Sequence, residues 1–291
     1  MKASVTTKEN KLASLATTCS YFGIQRDAYY KCVKRFEQSK QVENRVLELV
    51  KKERITQPRV GARKLMKELS PLLLKDGVKL GRDGLFSILR ANNLLVTRKK
   101  PNHKTTNSYH RFYCHKNLVK DLKLTKPNQV WVSDITYIRT IKGFCYLALI
   151  TDMYSRKIVG YDISNTLELT GCLRALQKAL RTVRTKEGLI HHSDRGVQYC
   201  SNQYVNELKK HGVRISMTEE NHCYENAIAE RVNGILKDEF YLDQCFSTTA
   251  HAAYATKNAI YIYNNKRLHL SLDFKTPNTV YNYSFKNTQN M

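Results

Sequence analysis

The hydrophobic pattern changes period at Pro127-Asn128, and this change constrains the fold more than any single motif does. Beyond it, Val130, Val132, Ile135 and Ile138 lie in a β-rich stretch. Two more strand-like runs follow, Phe144 to Asp152 and Lys157 to Ile163, joined by the turn-like Tyr154-Ser155-Arg156. The pattern then predicts a helix from about Leu169 to Val183, a short strand at 188–192, a helix near 202–211 and a strand at 213–217. A further helix runs from near Tyr224 to about Tyr241. The order β-β-β-α-β-α-β-α predicts an α/β layer whose first three strands form a meander. A last helical segment at 248–265 precedes a polar tail.

Upstream of the change the pattern is helical. Leu12, Leu15 and Ala16 begin one helix, a turn follows at Tyr21-Phe22-Gly23-Ile24, and a second helix is predicted from Gln25 to about Phe36. This is the spacing of a helix-turn-helix, with Gln25, Arg26, Tyr29 and Tyr30 near the start of the second helix. The two tyrosines are expected to pack in the core of this small region rather than to stack on a partner. In a second group, Val46, Leu47, Leu49 and Val50 lie in one helix before Pro58 and Gly61 break the chain. Arg63 and Lys64 stand beside Leu65 and Leu69 in the next helix, and Leu85, Phe86, Ile88 and Leu89 lie in a third. The expected organisation is therefore a helical helix-turn-helix region at 1–96, a basic linker at 97–126, an α/β core at 127–245, and a C-terminal helix and tail at 246–291.

Charge separates the same regions. Residues 1–126 hold 29 Lys and Arg against 10 Asp and Glu, a net +19 of the chain's +24, whereas residues 127–291 carry only +5. Such a basic half favours a polyanion, because each neutralised phosphate releases condensed counterions. Arg26, Arg63 and Lys64 are the candidate contacts there. The composition is 42% hydrophobic, which can bury a core and argues against wholesale disorder. The longest strongly apolar run, Phe144 to Ile150, is far too short for a bilayer, and MKASVTTKEN lacks the apolar segment of a signal peptide. No membrane association and a cytoplasmic location are the expectation. Eight scattered cysteines with no CxxC pair read as reduced, space-filling thiols. His103, His110, Cys114 and His115 cluster in sequence, but their spacing fits no common zinc module.

Three carboxylates in the second half stand in unusual settings. Asp134 is mid-strand in Trp131-Val132-Ser133-Asp134-Ile135-Thr136, where a charge is costly unless paired or metal-bound. Asp194 follows a strand's C-terminal end in His191-His192-Ser193-Asp194-Arg195-Gly196, a place where α/β sheets commonly hold ligands. Glu230 lies on a helix among Asn226-Ala227-Ile228-Ala229, whose small residues allow close packing. Taken singly, each would be read as a local salt-bridge or capping residue. Together, on separate elements and without a cysteine nearby, they suit hard cations such as Mg²⁺ or Mn²⁺. Two such ions would serve in-line displacement at phosphorus. Residues 195–229, 35 in all, separate Asp194 from Glu230, and Lys237 follows the glutamate two helical turns later on the same face.

With that spacing the chain resembles a DDE transposase of the retroviral-integrase superfamily, and more closely the OrfB-type transposases of the IS-three group of insertion sequences. The resemblance rests on WVSDITYI at 131–138, YSRKIVGYDIS at 154–164, HSDRGVQYCS at 192–201, ENAIAERVNGILKDE at 225–239 and YNNKRLHLSLDFKTPNTVY at 263–281, in that order. It implies an RNase H-like catalytic core, a mixed five-stranded sheet with flanking helices, preceded by the all-α helix-turn-helix region. By this resemblance Asp134, Asp194 and Glu230 would be the catalytic, metal-binding triad, holding two Mg²⁺ or Mn²⁺ ions, and Lys237 would contact the transposon end. Arg267 and His269 match the C-terminal motif, where DNA contact, support of the active site, and capping or packing all stay open. Asp152 is expected to support the triad without joining it, and His191 and His192 to be satisfied, partly buried side chains. The implied partners are double-stranded DNA at the element's ends and target, a homo-oligomer on that DNA, and an upstream OrfA product as partner or fusion. The chain begins at Met1 and shows no sustained heptad run, so it is expected to be the OrfB product alone. The contrasting readings are a non-catalytic DNA-binding regulator and an RNase H-type nuclease that only hydrolyses.

Overall fold

A computed structural model describes residues 14–97, 112–183, 186–219 and 226–288. The chain forms two compact units, residues 1–53 with 65–95 and residues 54–64 with 96–291. The segment 54–64, assigned by sequence to the helical region, thus belongs to the second unit, where Arg59 Nη2 donates to the Thr97 carbonyl at 2.7 Å. His103 and His110 of the histidine-cysteine cluster lie outside the described residues.

The first unit draws on helices α1 (Leu15–Tyr21), α2 (Arg26–Thr56), α3 (Ala62–Lys75) and α4 (Arg82–Ala91). Ser14 caps α1 by accepting from the Thr17 N–H. Gly23 reverses the chain at φ +64°, a conformation that costs a glycine nothing. The sequence pattern split 25–56 into two helices, but α2 is one helix of 31 residues. No glycine or proline interrupts it before Pro58. Val46, Leu49 and Val50, then Leu65, Leu69 and Leu73, then Leu85 and Leu89 are buried at helical spacing. Tyr30 was expected in this core; instead it is 59% exposed and meets Tyr29 edge-on at 5.5 Å. It lies outside the buried stripe that Val46, Leu49 and Val50 mark on the same helix.

The second unit is built on strands β1 (Val130–Thr140), β2 (Gly143–Asp152), β3 (Ile158–Ser164), β4 (Ile190–Ser193) and β5 (Arg214–Met217). Their order is β3-β2-β1-β4-β5, with β1 to β3 antiparallel and β4 and β5 parallel to β1. This mixed five-stranded sheet with helices on both faces is the RNase H-like arrangement. Helices α5 (Leu169–Arg181), α6 (Val197–Cys200) and α7 (Asn202–Lys210) join one face, whose core includes Trp131, Ile150, Leu176, Tyr204 and Leu208. Helices α8 (Ala227–Glu239) and α9 (Thr249–Asn265) cover the other over Ile138, Leu147, Val232, Leu236 and Tyr263. Alternation along β1 sends Trp131 to the first face and Ile138, with Asp134, to the second. Gly160 permits α5 to lie close on β3: a Cβ there would collide with the Ala175 carbonyl.

Asp152 ends β2 fully buried and accepts from the backbone N–H groups of Asn128 and Ser155, both at 2.7 Å. It fastens the entry to β1 and the turn into β3. The segment read as a polar tail contains a helix, α10 (Pro277–Thr288), anchored by buried Tyr281, whose hydroxyl bonds the Asn128 side chain. One aromatic anchor in a polar run gives too weak a periodicity for the sequence pattern to register.

Candidate active site

The parallel pairing of β1 with β4 sets the site. Ser133 stands opposite Ser193, so Asp134 and Asp194 are the next residues on neighbouring strands, which run about 4.8 Å apart. Asp194 lies just beyond the end of β4, its Oδ1 accepting from the Gly196 N–H at 3.1 Å. Helix α8 brings Glu230 to this place. Ala229 is buried with Val130, Val132 and Ile190, so the helix start sits close on the sheet. Glu230 is in its first turn, where the helix dipole favours a negative charge.

Asp134 feels the other two carboxylates. Burial pushes the Asp134 carboxyl up to about 7, and the charges of Asp194 and Glu230 add to the rise. Two donors oppose it: the Ile135 N–H on Oδ1 at 2.9 Å and Asn233 Nδ2 on Oδ2 at 2.6 Å. Lys237, half-buried, has its pKa lowered by burial against the pull of the Asp134 charge. Among the described residues, no group of three His, Cys, Asp or Glu side chains already stands gathered as a metal cage. The histidines beside Asp194 are engaged in the sheet. His191 Nε2 is 2.7 Å from Ser133 Oγ and 3.0 Å from the Tyr204 hydroxyl, and His192 Nδ1 is 2.9 Å from Ser216 Oγ.

Residues 125–223 match a family model described as an integrase core domain, and residues 211–277 match a second model of the same description. The chain is 37% identical to an uncharacterized 31 kDa protein of insertion element IS600 from Shigella sonnei, over 89% of this chain and 95% of the relative. It is 32% identical to the transposase for insertion sequence element IS629 from Shigella sonnei, over 72% and 69%. With the transposase InsF for insertion sequence IS3A of Escherichia coli (strain K12) it shares 41% identity over 42% of each. The chain belongs to the IS-three group of DDE transposases. The integrase core match accords with the order of elements around the carboxylates.

In this transposase the residues expected at DNA fall into two groups. Arg26 and Arg63 are exposed, and Lys237 lies near Asp134. Lys64 does not match the expected DNA contact, and Arg267 takes the packing alternative left open for it, because both are buried on one carboxylate inside the second unit. Arg267 grips Glu239 with Nε and Nη2 at 2.8 and 2.7 Å, and Lys64 Nζ reaches the same group at 2.8 Å. Buried charges persist where they are paired in this way. His269 is buried beside them, edge-on to Tyr263 at 5.1 Å, so the C-terminal motif packs rather than projects. Sequence reasoning passed over Asn226, Asn233 and Glu239. The one available signal was a polar Asn233 between apolar Val232 and Ile235 on a packed helix.

Proposed function

We propose that this transposase binds the double-stranded ends of its insertion sequence and carries out divalent-metal-dependent strand cleavage and strand transfer, with Asp134, Asp194 and Glu230 as the catalytic carboxylates. The observation that carries this reading is the convergence of Asp134, Asp194 and Glu230 where β1, β4 and the start of α8 meet, with Asp134 raised by burial and the two like charges and, among the described residues, no Lys or Arg hydrogen-bonded to it. Such an arrangement is unfavourable in the protein alone and favourable once a hard cation is present. The donor set fits that cation: carboxylate oxygens, with neighbouring imidazoles engaged elsewhere. When bound, two Mg²⁺ or Mn²⁺ ions would supply Lewis-acid activation of a water or 3′-hydroxyl and would stabilise the leaving oxygen.

The chain's own residues then orient the reaction. Lys237 holds a phosphate beside Asp134, while Arg26 of the first unit and Arg63 of the second each contact flanking duplex. The basic linker at 97–126 adds positive charge between the helical region at 1–96 and the core at 127–245. Water attack at an element end breaks one phosphodiester bond and frees a 3′-hydroxyl. Attack of that hydroxyl on a second strand forms one P–O bond and breaks another, so no covalent enzyme intermediate is needed. The working assembly is a homo-oligomer on DNA, with an OrfA product as partner or fusion, in the bacterial cytoplasm at the nucleoid. No helix among the described residues is long and apolar enough to cross a membrane.

The test is a strand-joining assay with a pre-cut element end. Asp134→Asn should lose the joined product while retaining DNA binding. Unchanged joining would remove Asp134 from the chemistry. Hydrolysis by the wild type with no joined product would make the chain a nuclease only.

A further inference from the structure

Asn226, the N-cap residue of α8, and Asn233 within α8 flank Glu230 and bond consecutive residues of β1. Asn226 Nδ2 donates to the Ser133 carbonyl at 3.0 Å, and Asn233 Nδ2 donates to Asp134 Oδ2 at 2.6 Å. They are seven residues apart, two helical turns, and so share the face on which Glu230 stands. Both are buried, at 3% and 6% exposure. Among the described residues neither amide oxygen has a hydrogen-bond partner. Each asparagine thus spends its amide nitrogen on an acceptor of β1, one a strand carbonyl and the other the Asp134 carboxylate itself.

We infer that Asn226 and Asn233 are positioning residues that lock the Asp134 carboxylate in rotation and in register with Glu230; this rests on the active-site reading above. The bonding pattern explains how. A carboxylate oxygen has two acceptor positions. The Ile135 N–H takes one on Oδ1 and Asn233 takes one on Oδ2, which stops the group from turning and, among the described residues, leaves one position open on each oxygen. Asn226 fixes the backbone one residue earlier, so α8 cannot slide along β1 without breaking both bonds. Orienting partners of this kind typically change metal affinity about 10- to 100-fold when removed.

The test measures Mn²⁺ binding to the full chain by counting free Mn²⁺ spectroscopically, beside strand joining as a function of Mn²⁺ concentration. Asn233→Ala should weaken Mn²⁺ binding about tenfold and shift half-maximal joining to correspondingly higher Mn²⁺. Excess Mn²⁺ should restore most of the rate, which a folding defect would not allow. Should Asn233→Ala fail to fold, Asn226→Ala, which spares the carboxylate bond, should show a smaller shift in the same direction. Mn²⁺ binding that Asp134→Asn abolishes but a folded Asn233→Ala leaves unchanged would overturn the role of the asparagines alone. Wild-type binding insensitive to Asp134→Asn would overturn the active-site reading, and this inference with it.

Discussion

A buried carboxylate lies at each end of α8, Asp134 of β1 at its start and Glu239 at its end, with opposite results. At its start, burial and the charges of Asp194 and Glu230 raise Asp134 to about 7. At its end, burial alone would raise Glu239, yet Arg267 and then Lys64 hold it down to about 2. The helix and the degree of burial are similar; the sign of the neighbours differs. The Glu239 end is complete within the protein and fastens the C-terminal motif and Lys64 to α8. The Glu230 end is left electrostatically unfinished, a pattern that belongs to functional sites.

Removing a carboxylate at the first end and a cation at the second should break the contrast most sharply. Asp194→Asn or Glu230→Gln should cut strand joining on the order of a thousandfold, since metal activation contributes several kcal/mol to such transition states; timed joining reactions read this. Arg267→Ala should instead cost stability, about 3 kcal/mol, by leaving Glu239 buried with only Lys64. Urea unfolding measures that loss.

The pH dependence of stability should have opposite slopes at the two ends. Asp134 is raised from 3.8 to about 7, so its contribution is present below 3.8 and lost as pH rises to about 7. Glu239 is lowered from 4.5 to about 2, so its contribution is present above 4.5 and lost as pH falls toward 2. Each slope has a ceiling of about 1.4 kcal/mol per pH unit. His269, lowered from 6.5 to about 3 mainly by burial, adds a loss that begins as pH drops below 6.5. Unfolding across pH should show Asp134→Asn flattening only the first window. The smallest effect is expected at Lys237→Ala: DNA binding weakened severalfold, with the salt-dependence slope reduced by about one, measured by titration at several salt concentrations.

The sheet and the three carboxylates were legible because their signals are local. The apolar residues of β1 alternate around Asp134, and Asp194 and Glu230 sit in short motifs at a telling distance. The Glu239 end was not legible. Lys64 and Glu239 are 175 residues apart, and a lysine and an arginine in a basic chain look like DNA contacts until the fold pairs them. Asn226 and Asn233 escaped for a similar reason, since their partners Ser133 and Asp134 are 93 and 99 residues away. The continuity of α2 followed from the lack of any breaker between Phe36 and Val46, a negative signal that apolar periodicity ignores.

On the proposed function, a divalent cation completes the Glu230 end. Thermal unfolding of wild type and Asp134→Asn at pH 8, with and without Mg²⁺, tests it most directly. Asp134→Asn should melt higher than wild type without metal, and Mg²⁺ should raise the wild-type midpoint but not the variant's. A variant that melts lower, with Mg²⁺ shifting both proteins equally, would contradict that reading.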